Sequence, residues 1–370
     1  MILFFAVILL FTFITAIAPK RDFSELENTY LASPPKLSLE KLLNGEFESD
    51  AEDYIADHFF GRDSLLKFKT YANIAMNKHE RNDVYITETR LAEKVGEPNW
   101  ELMEKTLNGI SVFAADNSDK AVYFMLAPTS GDIYYEEMPK NAPMLDEKSF
   151  IEDIYGRLPE TVTPIDVYST LSVNKDKYIY YRTDHHWTTC GAYLSYIAAA
   201  KKMGITPVTL DNYNIEHASD GFLGTLYSKA LYDGIKPDVI DYYHPKNACE
   251  IKGEYVYTTF EDEPVFYDDI YFREYLDTKD KYSSITGKNN PMVKLVSDSS
   301  GGHLLIIKDS YAHSIAPFFL QNYSEVTMLD MRYINVSYRD VIDMDDYDSV
   351  LFVYNVSNFI SDENLKNLSY

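Results

Sequence analysis

The sequence predicts an α/β fold in which helices cover both faces of a mostly parallel sheet. From Asn82 onward, apolar runs of strand length alternate with stretches whose apolar residues repeat at helical spacing. The runs are apolar on both faces, as expected of strands buried between two helical layers. Of the 370 residues, 46% are hydrophobic, and only 15 are Gly and 15 Pro. This composition supports a large core and excludes a collagen-like, low-complexity or wholly disordered chain.

Length, charge and cysteine content narrow the classes of function. At about 150 residues per domain, the chain can form two domains, or one large domain with extensions. Its 34 Lys and Arg against 58 Asp and Glu give a net charge of −24. This argues against nucleic acid as a partner, because such binding begins with basic residues on phosphates. Two cysteines, Cys190 and Cys249, exclude a disulfide scaffold and a zinc site of four cysteines, and whether they pair stays open.

The first 18 residues are apolar or small apart from two threonines. As a helix they would extend for roughly 27 Å, enough to cross the hydrocarbon core of a bilayer. A secretory signal has a shorter apolar core behind a basic region, so residues 1–18 are predicted to be a signal anchor or an uncleaved export signal. Lys20 and Arg21 follow this segment, which by the positive-inside rule favours the opposite orientation. We therefore expect a short basic leader before it.

Residues 19–81 are predicted to be a linker followed by helices. Residues 19–36 are expected to be extended and contain a Ser-Pro-Pro sequence. Ser38 is expected to cap a short helix that ends at Gly45. Longer helices are expected at residues 47–60 and 62–78.

Residues 82–370 are predicted to form the main domain. Its strands are expected at Ala121–Ala127, Ile165–Tyr168, Tyr178–Tyr181, Met292–Val296, Leu304–Ile307, Val326–Leu329 and Val350–Tyr354. Its helices are expected near residues 99–115, 147–157, 188–203, 311–321 and 361–367. Residues 212–285 are rich in Tyr and Asp with weak periodicity, and we expect an insertion or a lid there.

Reactive residues are predicted at the carboxyl ends of two strands, where the active groups of open α/β sheets lie. One end carries Asp184 and His186, which are two residues apart and can project to the same side. The other carries Ser310 directly before a helix, so that its N–H lies near the positive end of that helix. A serine nucleophile needs a histidine base that is oriented by a carboxylate, and the chain contains all three parts.

Each part also has a structural interpretation. A serine after a strand is a common helix N-cap, and an Asp-x-His sequence can be a capped turn. Asp184-His185-His186 is also how some metal-dependent phosphoesterases begin a ligand set. Such a site needs further Asp or His from neighbouring strand ends, and the chain has only 8 His. We therefore predict no metal.

As a set, these motifs strongly resemble the signature of the DHHW proteins, which are similar to the SGNH-like domain of the alginate O-acetyltransferase family. The motifs are Thr183–Thr188 (TDHHWT) with Gly191-Ala192-Tyr193, Phe222–Leu226 (FLGTL), Lys308–Ala312 (KDSYA), Asp330–Tyr333 (DMRY) and Phe59–Asp63 (FFGRD). The resemblance covers nearly the whole chain from about residue 20. It implies a flavodoxin-like three-layer sandwich with a circularly permuted motif order, since His186 precedes Ser310 by 124 residues. One departure is Lys308, which stands where a Gly-Asp-Ser block has glycine.

The resemblance implies that Ser310 is the nucleophile, His186 the base and Asp184 the acid that orients it. It implies transfer of an acetyl group to a hydroxyl of a cell-surface polysaccharide or exopolysaccharide, through an acetyl-serine intermediate and without a cofactor. Candidates for oxyanion or substrate binding are Asn355, Arg332 and Tyr311. His185 is expected to be structural, and Trp187 to be a core or hinge residue, with a sugar platform as the alternative.

The expected location is the cell membrane, with a single span at residues 1–18 and the catalytic domain outside the cytoplasm. The partners implied are a polysaccharide acceptor and a membrane-bound acyltransferase that supplies acetyl groups. Two alternatives stay open. One is a carbohydrate acetylesterase of the same fold, and the other is a non-catalytic protein that binds or assembles surface glycans.

Overall fold

The computed structural model describes residues 1–246 and 249–370. Its α-helices are α1 (Ile2–Ile17), α2 (Leu39–Asn44), α3 (Glu46–Asp57), α4 (Arg62–Ala75), α5 (Trp100–Asp116), α6 (Ser130–Ile133), α7 (Glu147–Arg157), α8 (Tyr168–Ser172), α9 (Thr189–Met203), α10 (Thr225–Ala230), α11 (Ala312–Phe319) and α12 (Val356–Ser361). Its strands are β1 (Phe23–Ser24), β2 (Thr29–Tyr30), β3 (Glu80–Arg81), β4 (Val84–Ile86), β5 (Leu91–Glu93), β6 (Ala121–Ala127), β7 (Val162–Ile165), β8 (Tyr213–Phe222), β9 (Asp238–Pro245), β10 (Ile251–Tyr257), β11 (Val265–Tyr267), β12 (Met292–Ser297), β13 (His303–Lys308), β14 (Glu325–Leu329) and β15 (Ser349–Asn355). Short 3-10 helices lie at Tyr135–Glu137, Leu210–Asn212, Arg273–Asp277, Lys281–Ser284, Met331–Tyr333, Tyr338–Asp340, Met344–Asp346 and Leu365–Ser369.

A mixed sheet of eight strands organises the fold, in the order β11-β10-β12-β14-β13-β15-β6-β7. The five strands from β14 to β7 run parallel, and β12, β10 and β11 extend the sheet through antiparallel pairs. Alternate residues of β13 and β15 belong to two separate cores, one packed with α9 and α11 and the other with α5, α7 and α12. The prediction of an α/β fold with a mostly parallel sheet and helices on both faces is confirmed.

Five of the expected strands are present, as β6, β12, β13, β14 and β15, each within about two residues of its predicted bounds. The strand expected at Ile165–Tyr168 is wrong, because Asp166 accepts a hydrogen bond from the Ser169 N–H and so starts α8. The helix expected at 361–367 is also wrong. Asn355 caps the earlier α12 instead, by accepting a hydrogen bond from the N–H of Ser357.

The N-terminal helix α1 is largely exposed and touches the rest of the chain through its last turns. The Phe11 ring stacks on that of Phe59 with centroids 5.8 Å apart, and Thr15 Oγ1 accepts a hydrogen bond from the Phe60 N–H at 3.2 Å. Among the described helices, none combines the length and the apolar character needed to cross a membrane. The signal anchor at residues 1–18 stays a prediction.

The segment expected to be a linker and helices contains α2, α3 and α4, as predicted, and also a short hairpin. Strands β1 and β2 pair antiparallel, and the Leu31 N–H donates to the Asp22 carbonyl at 2.9 Å. The N–H of Ala32 then donates to Asp57 Oδ2 at 2.8 Å. This stretch is therefore fastened to α3 rather than loosely extended.

Residues 212–285, expected to be an insertion or a lid within the main domain, contain strands β8, β9, β10 and β11. Strands β8 and β9 form a hairpin of their own, whereas β10 and β11 add to the edge of the central sheet. A register shift in β10 between Ile251 and Gly253 breaks the two-residue alternation that marks a strand in the sequence. Register shifts in the β8–β9 hairpin weaken the alternation in the same way.

Candidate active site

Ser310 lies in the sharp turn between β13 and α11. The turn is held by the buried carboxylate of Asp309, which accepts hydrogen bonds from the N–H of Tyr311 and the N–H of Asn355, both at 2.8 Å. The Ser310 hydroxyl borders a cavity, and its N–H has no hydrogen-bond acceptor within residues 1–246 and 249–370. The backbone donor of the predicted nucleophile is thus available to a bound group.

The Asp184–His186 segment is a tight loop, not the end of a sheet strand as predicted. Tyr180 makes only an isolated bridge with Trp187. The loop is fixed instead by Asp238 at the start of β9. Its carboxylate accepts hydrogen bonds from the backbone N–H groups of Arg182 and Thr183 at 2.7 and 2.8 Å. Backbone hydrogen bonds across the loop, from the Tyr181 N–H to the His186 carbonyl at 3.2 Å and from the Thr188 N–H to the Ile179 carbonyl at 3.0 Å, act together with this distant carboxylate.

The structure brings the three predicted residues together in one hydrogen-bonded chain. His186 Nδ1 donates to Asp184 Oδ1 at 2.6 Å, and the Ser310 hydroxyl donates to His186 Nε2 at 2.7 Å. The other carboxylate oxygen of Asp184 accepts hydrogen bonds from the N–H of Thr225 at 2.8 Å and from its hydroxyl at 3.0 Å. An imidazole oriented in this way can take the proton of the serine.

The imidazole of His186 lies between two rings. Its centroid is 3.8 Å from that of His185 on one side and 3.8 Å from that of Tyr282 on the other, where the two planes differ by only 10°. The Tyr282 hydroxyl donates to the carbonyl of Ser310 at 2.9 Å, so this tyrosine contacts both the base and the nucleophile. Sequence analysis missed Tyr282, because no local pattern links it to residues 28 positions later.

The electrostatics of the site keep His186 neutral and Asp184 charged. Burial, reinforced by the adjacent His185, lowers the pKa of His186 to about 4 against the opposite effect of Asp184. Burial alone would raise the pKa of Asp184. The two imidazoles and the hydrogen bonds to its oxygens outweigh this and hold that pKa well below its usual range. At neutral pH the pair is therefore a carboxylate beside an unprotonated base.

Two of the predicted binding residues do not face the cavity. The side-chain amide of Asn355 donates to the Ala127 carbonyl at 3.3 Å and its oxygen caps α12, so this amide is used within the fold. Tyr311 is fully buried, and its hydroxyl donates to the carbonyl of His185. The sequence did not show that the Asn355 side chain caps α12 or that the Tyr311 side chain is buried.

Trp187 is a core residue, as expected, and the alternative of a sugar platform is wrong. Its side chain is fully buried, and its indole N–H donates to Ser314 Oγ at 2.8 Å. His185 Nδ1 shares a hydrogen bond of 2.7 Å with Thr225 Oγ1, and its ring covers the base and borders the cavity. Its structural role stays a prediction.

The cavity beside Ser310 has a volume of about 290 Å³ and a polar lining. Arg332 borders it, with Nε and Nη2 donating to the two oxygens of Asp330 at 2.8 and 2.6 Å. Asn358 also borders it and donates from Nδ2 to Asp309 Oδ2 at 2.8 Å. Asn358 lies on α12, three residues after the N-cap Asn355.

Lys308, the departure from a Gly-Asp-Ser block, is fully buried. Its ammonium lies 3.1 Å from Asp330 Oδ2 and donates to Asn289 Oδ1 at 3.0 Å and to His313 Nε2 at 2.9 Å. Burial lowers the pKa of Lys308, while Asp330 opposes this. The lysine thereby joins Arg332 through their shared carboxylate.

In the described chain, one group of side chains has ligand atoms close enough, within 4.8 Å of one another, to hold a metal ion. The group is Asp184, His185 and His186. Both nitrogens of His186 and both oxygens of Asp184 already take part in hydrogen bonds. The arrangement favours proton transfer over metal binding.

The family model described as DHHW protein matches residues 108–329. A DHHW family protein from Eubacterium siraeum is similar in structure, with 25% identity over 77% of this chain and 96% of that chain and a TM-score of 0.62. PatB1 of Bacillus cereus, determined with a sulfonyl adduct, has 20% identity over 76% of this chain and 96% of its own, with a TM-score of 0.63. The O-acetyltransferase domain of Pseudomonas putida AlgJ has 13% identity over 76% and 94%, with a TM-score of 0.47. No curated protein matches by sequence.

Proposed function

This chain belongs to the DHHW protein family, as its motifs predicted, and we propose that it is an O-acetyltransferase that modifies a cell-surface polysaccharide or exopolysaccharide. The observation that carries the proposal is the hydrogen-bonded chain from Asp184 through His186 to Ser310, which ends at a polar cavity. This arrangement provides a nucleophile, a base and an orienting carboxylate for acyl transfer.

In the first half-reaction, His186 Nε2 takes the proton of the Ser310 hydroxyl while Oγ attacks the acetyl carbonyl of the donor. The bond from that carbonyl carbon to the donor breaks, and the leaving group takes the proton from His186. The Ser310 N–H is the first candidate donor to the oxyanion, and the side chains of Asn358 and Arg332 at the cavity are the further candidates.

In the second half-reaction, a sugar hydroxyl gives its proton to His186 and attacks the acetyl-serine. The ester bond to Ser310 breaks, and the serine oxygen recovers the proton from His186. Water in place of the sugar would make the protein an esterase. The donor and the location are part of the same proposal: residues 1–18 anchor the chain, and a membrane-bound acyltransferase supplies the acetyl group.

The test uses p-nitrophenyl acetate as a donor and mass spectrometry of the intact protein. We expect the wild type to gain one acetyl group, on Ser310, and the Ser310→Ala variant to gain none. The matched control is Ser361→Ala, an exposed serine on α12, and it should label like the wild type. If Ser310→Ala and His186→Ala were both labelled as strongly as the wild type, that result would contradict an enzymatic role and favour the glycan-binding alternative. Rapid hydrolysis that no sugar diverts would favour the esterase.

A further inference from the structure

The turn of the β1–β2 hairpin forms part of the wall of the Ser310 cavity. Asn28 lies in this turn with a φ of +54° and borders the cavity together with Lys279. Its side chain is exposed and has no hydrogen-bond partner within residues 1–246 and 249–370. A free amide with both donors and acceptors thus stands at the entrance to the nucleophile.

The turn is held in place by contacts with three other segments. The Lys279 ammonium donates to the carbonyl of Glu25 and to that of Leu26, the second at 2.6 Å. The side chain of Leu26 packs against the small core formed by α10, β4 and β5. Glu27 forms an ion pair with Arg62 at the start of α4. The position of Asn28 is therefore set before any ligand binds.

The cavity is too small to hold more than a short part of a polymer. A volume of about 290 Å³ is at the small end of ligand sites, which suits one sugar unit and an acetyl group. The neighbouring units of a polymer must then cross the entrance, where Asn28 lies. The acetyl group, by contrast, has to reach Ser310 at the floor.

We propose that Asn28 is an acceptor-binding residue, whose amide exchanges hydrogen bonds with sugar hydroxyls at the cavity entrance, and that Lys279 is a positioning residue for it. This inference rests on the proposed function. It predicts that Asn28 affects the second half-reaction and leaves the first unchanged, because a small activated ester needs no contact at the entrance.

The experiment compares full-length Asn28→Gly with the wild type. Glycine accepts the positive φ, so that the change removes only the amide. The control is Asn141→Gly, an exposed asparagine with a φ of +61° away from the cavity. Each protein is acetylated with p-nitrophenyl acetate and then mixed with cellopentaose, chitopentaose or a galacturonate pentamer. The loss of acetyl-Ser310 and the gain of acetylated sugar are followed by mass spectrometry.

We expect equal acetylation rates in all three proteins. The sugar concentration that gives half-maximal acceleration should rise about tenfold in Asn28→Gly alone, the loss expected for one or two hydrogen bonds. Lys279→Met should raise it similarly, with kcat little changed, and Lys279→Arg should restore it. A wild-type acetyl-enzyme that none of these sugars accelerates would contradict transfer itself. Acceleration that is equal in the wild type and Asn28→Gly would contradict the role of Asn28 alone, and so would slower acetylation of Asn28→Gly.

Discussion

His186 is enclosed on both faces and hydrogen-bonded at both nitrogens, which fixes the pH range in which it can act. Its pKa of about 4 means that it stays unprotonated, and so able to accept the Ser310 proton, down to that pH. We expect the acetylation rate of Ser310 to be flat from pH 8 to pH 6 and half-maximal near pH 4. The measurement is the initial rate with p-nitrophenyl acetate, after checking by circular dichroism that the protein stays folded.

Tyr282 offers a direct test of why that pKa is low. Tyr282→Leu removes the ring that covers the imidazole and admits water, so the pKa of His186 should rise toward 6.5. As the pH is lowered, the acetylation rate of this variant should therefore begin to fall at a higher pH than that of the wild type. Tyr282→Phe keeps the ring and loses only the hydrogen bond to the Ser310 carbonyl. Its acetylation rate should fall at the same acid pH as that of the wild type. If the rate fell at the same pH in all three proteins, the tyrosine ring would not set this pKa.

At the scale of elements, the first residue of strand β9 helps to hold the loop that carries Asp184 and His186. Asp238 of β9 accepts the Arg182 and Thr183 N–H groups, and Asp238→Ala would leave both without an acceptor. We expect the free energy of unfolding to fall by about 3 kcal/mol, since each buried unpaired group costs about 1–3 kcal/mol. Urea denaturation measures it.

A control for that substitution lies in the same strand. The Asp241 carboxylate contacts the exposed His217 ring rather than the loop. Asp241→Ala should therefore leave both the urea midpoint and the acetylation rate unchanged. A loss as large as that of Asp238→Ala would mean that any change in β9 disturbs the fold, and that the loop is not specially dependent on Asp238.

Elements with a regular local pattern could be predicted from the sequence, whereas elements and residues that depend on tertiary contacts could not. Strands β13 and β15 could be predicted because they are apolar on both faces, and Asp184, His186 and Ser310 because each stands in a recognisable motif. Strand β10 could not, since its bulge hides the alternation. Tyr282 and Asn358 reach the site through tertiary contacts that no local spacing encodes.

For the molecule as a whole, α1 and the hairpin after it make very different contributions. Helix α1 meets the body mainly through Phe11 and Thr15, whereas the hairpin borders the cavity. We expect a chain that starts at residue 19 to acetylate Ser310 at the full-length rate, within about twofold. Mass spectrometry of the two proteins under the same conditions checks this. A loss of labelling on removal of residues 1–18 would show that α1 supports the fold of the catalytic part.

The short connection between α1 and the hairpin also restricts where in the cell envelope this protein could work. Only residues 18–22 separate the end of α1 at Ile17 from β1 at Phe23, and five residues reach at most about 18 Å. With α1 anchored as predicted, the cavity entrance would stay close to the lipid surface. A polymer acceptor would then have to come within that distance of the bilayer to reach Ser310.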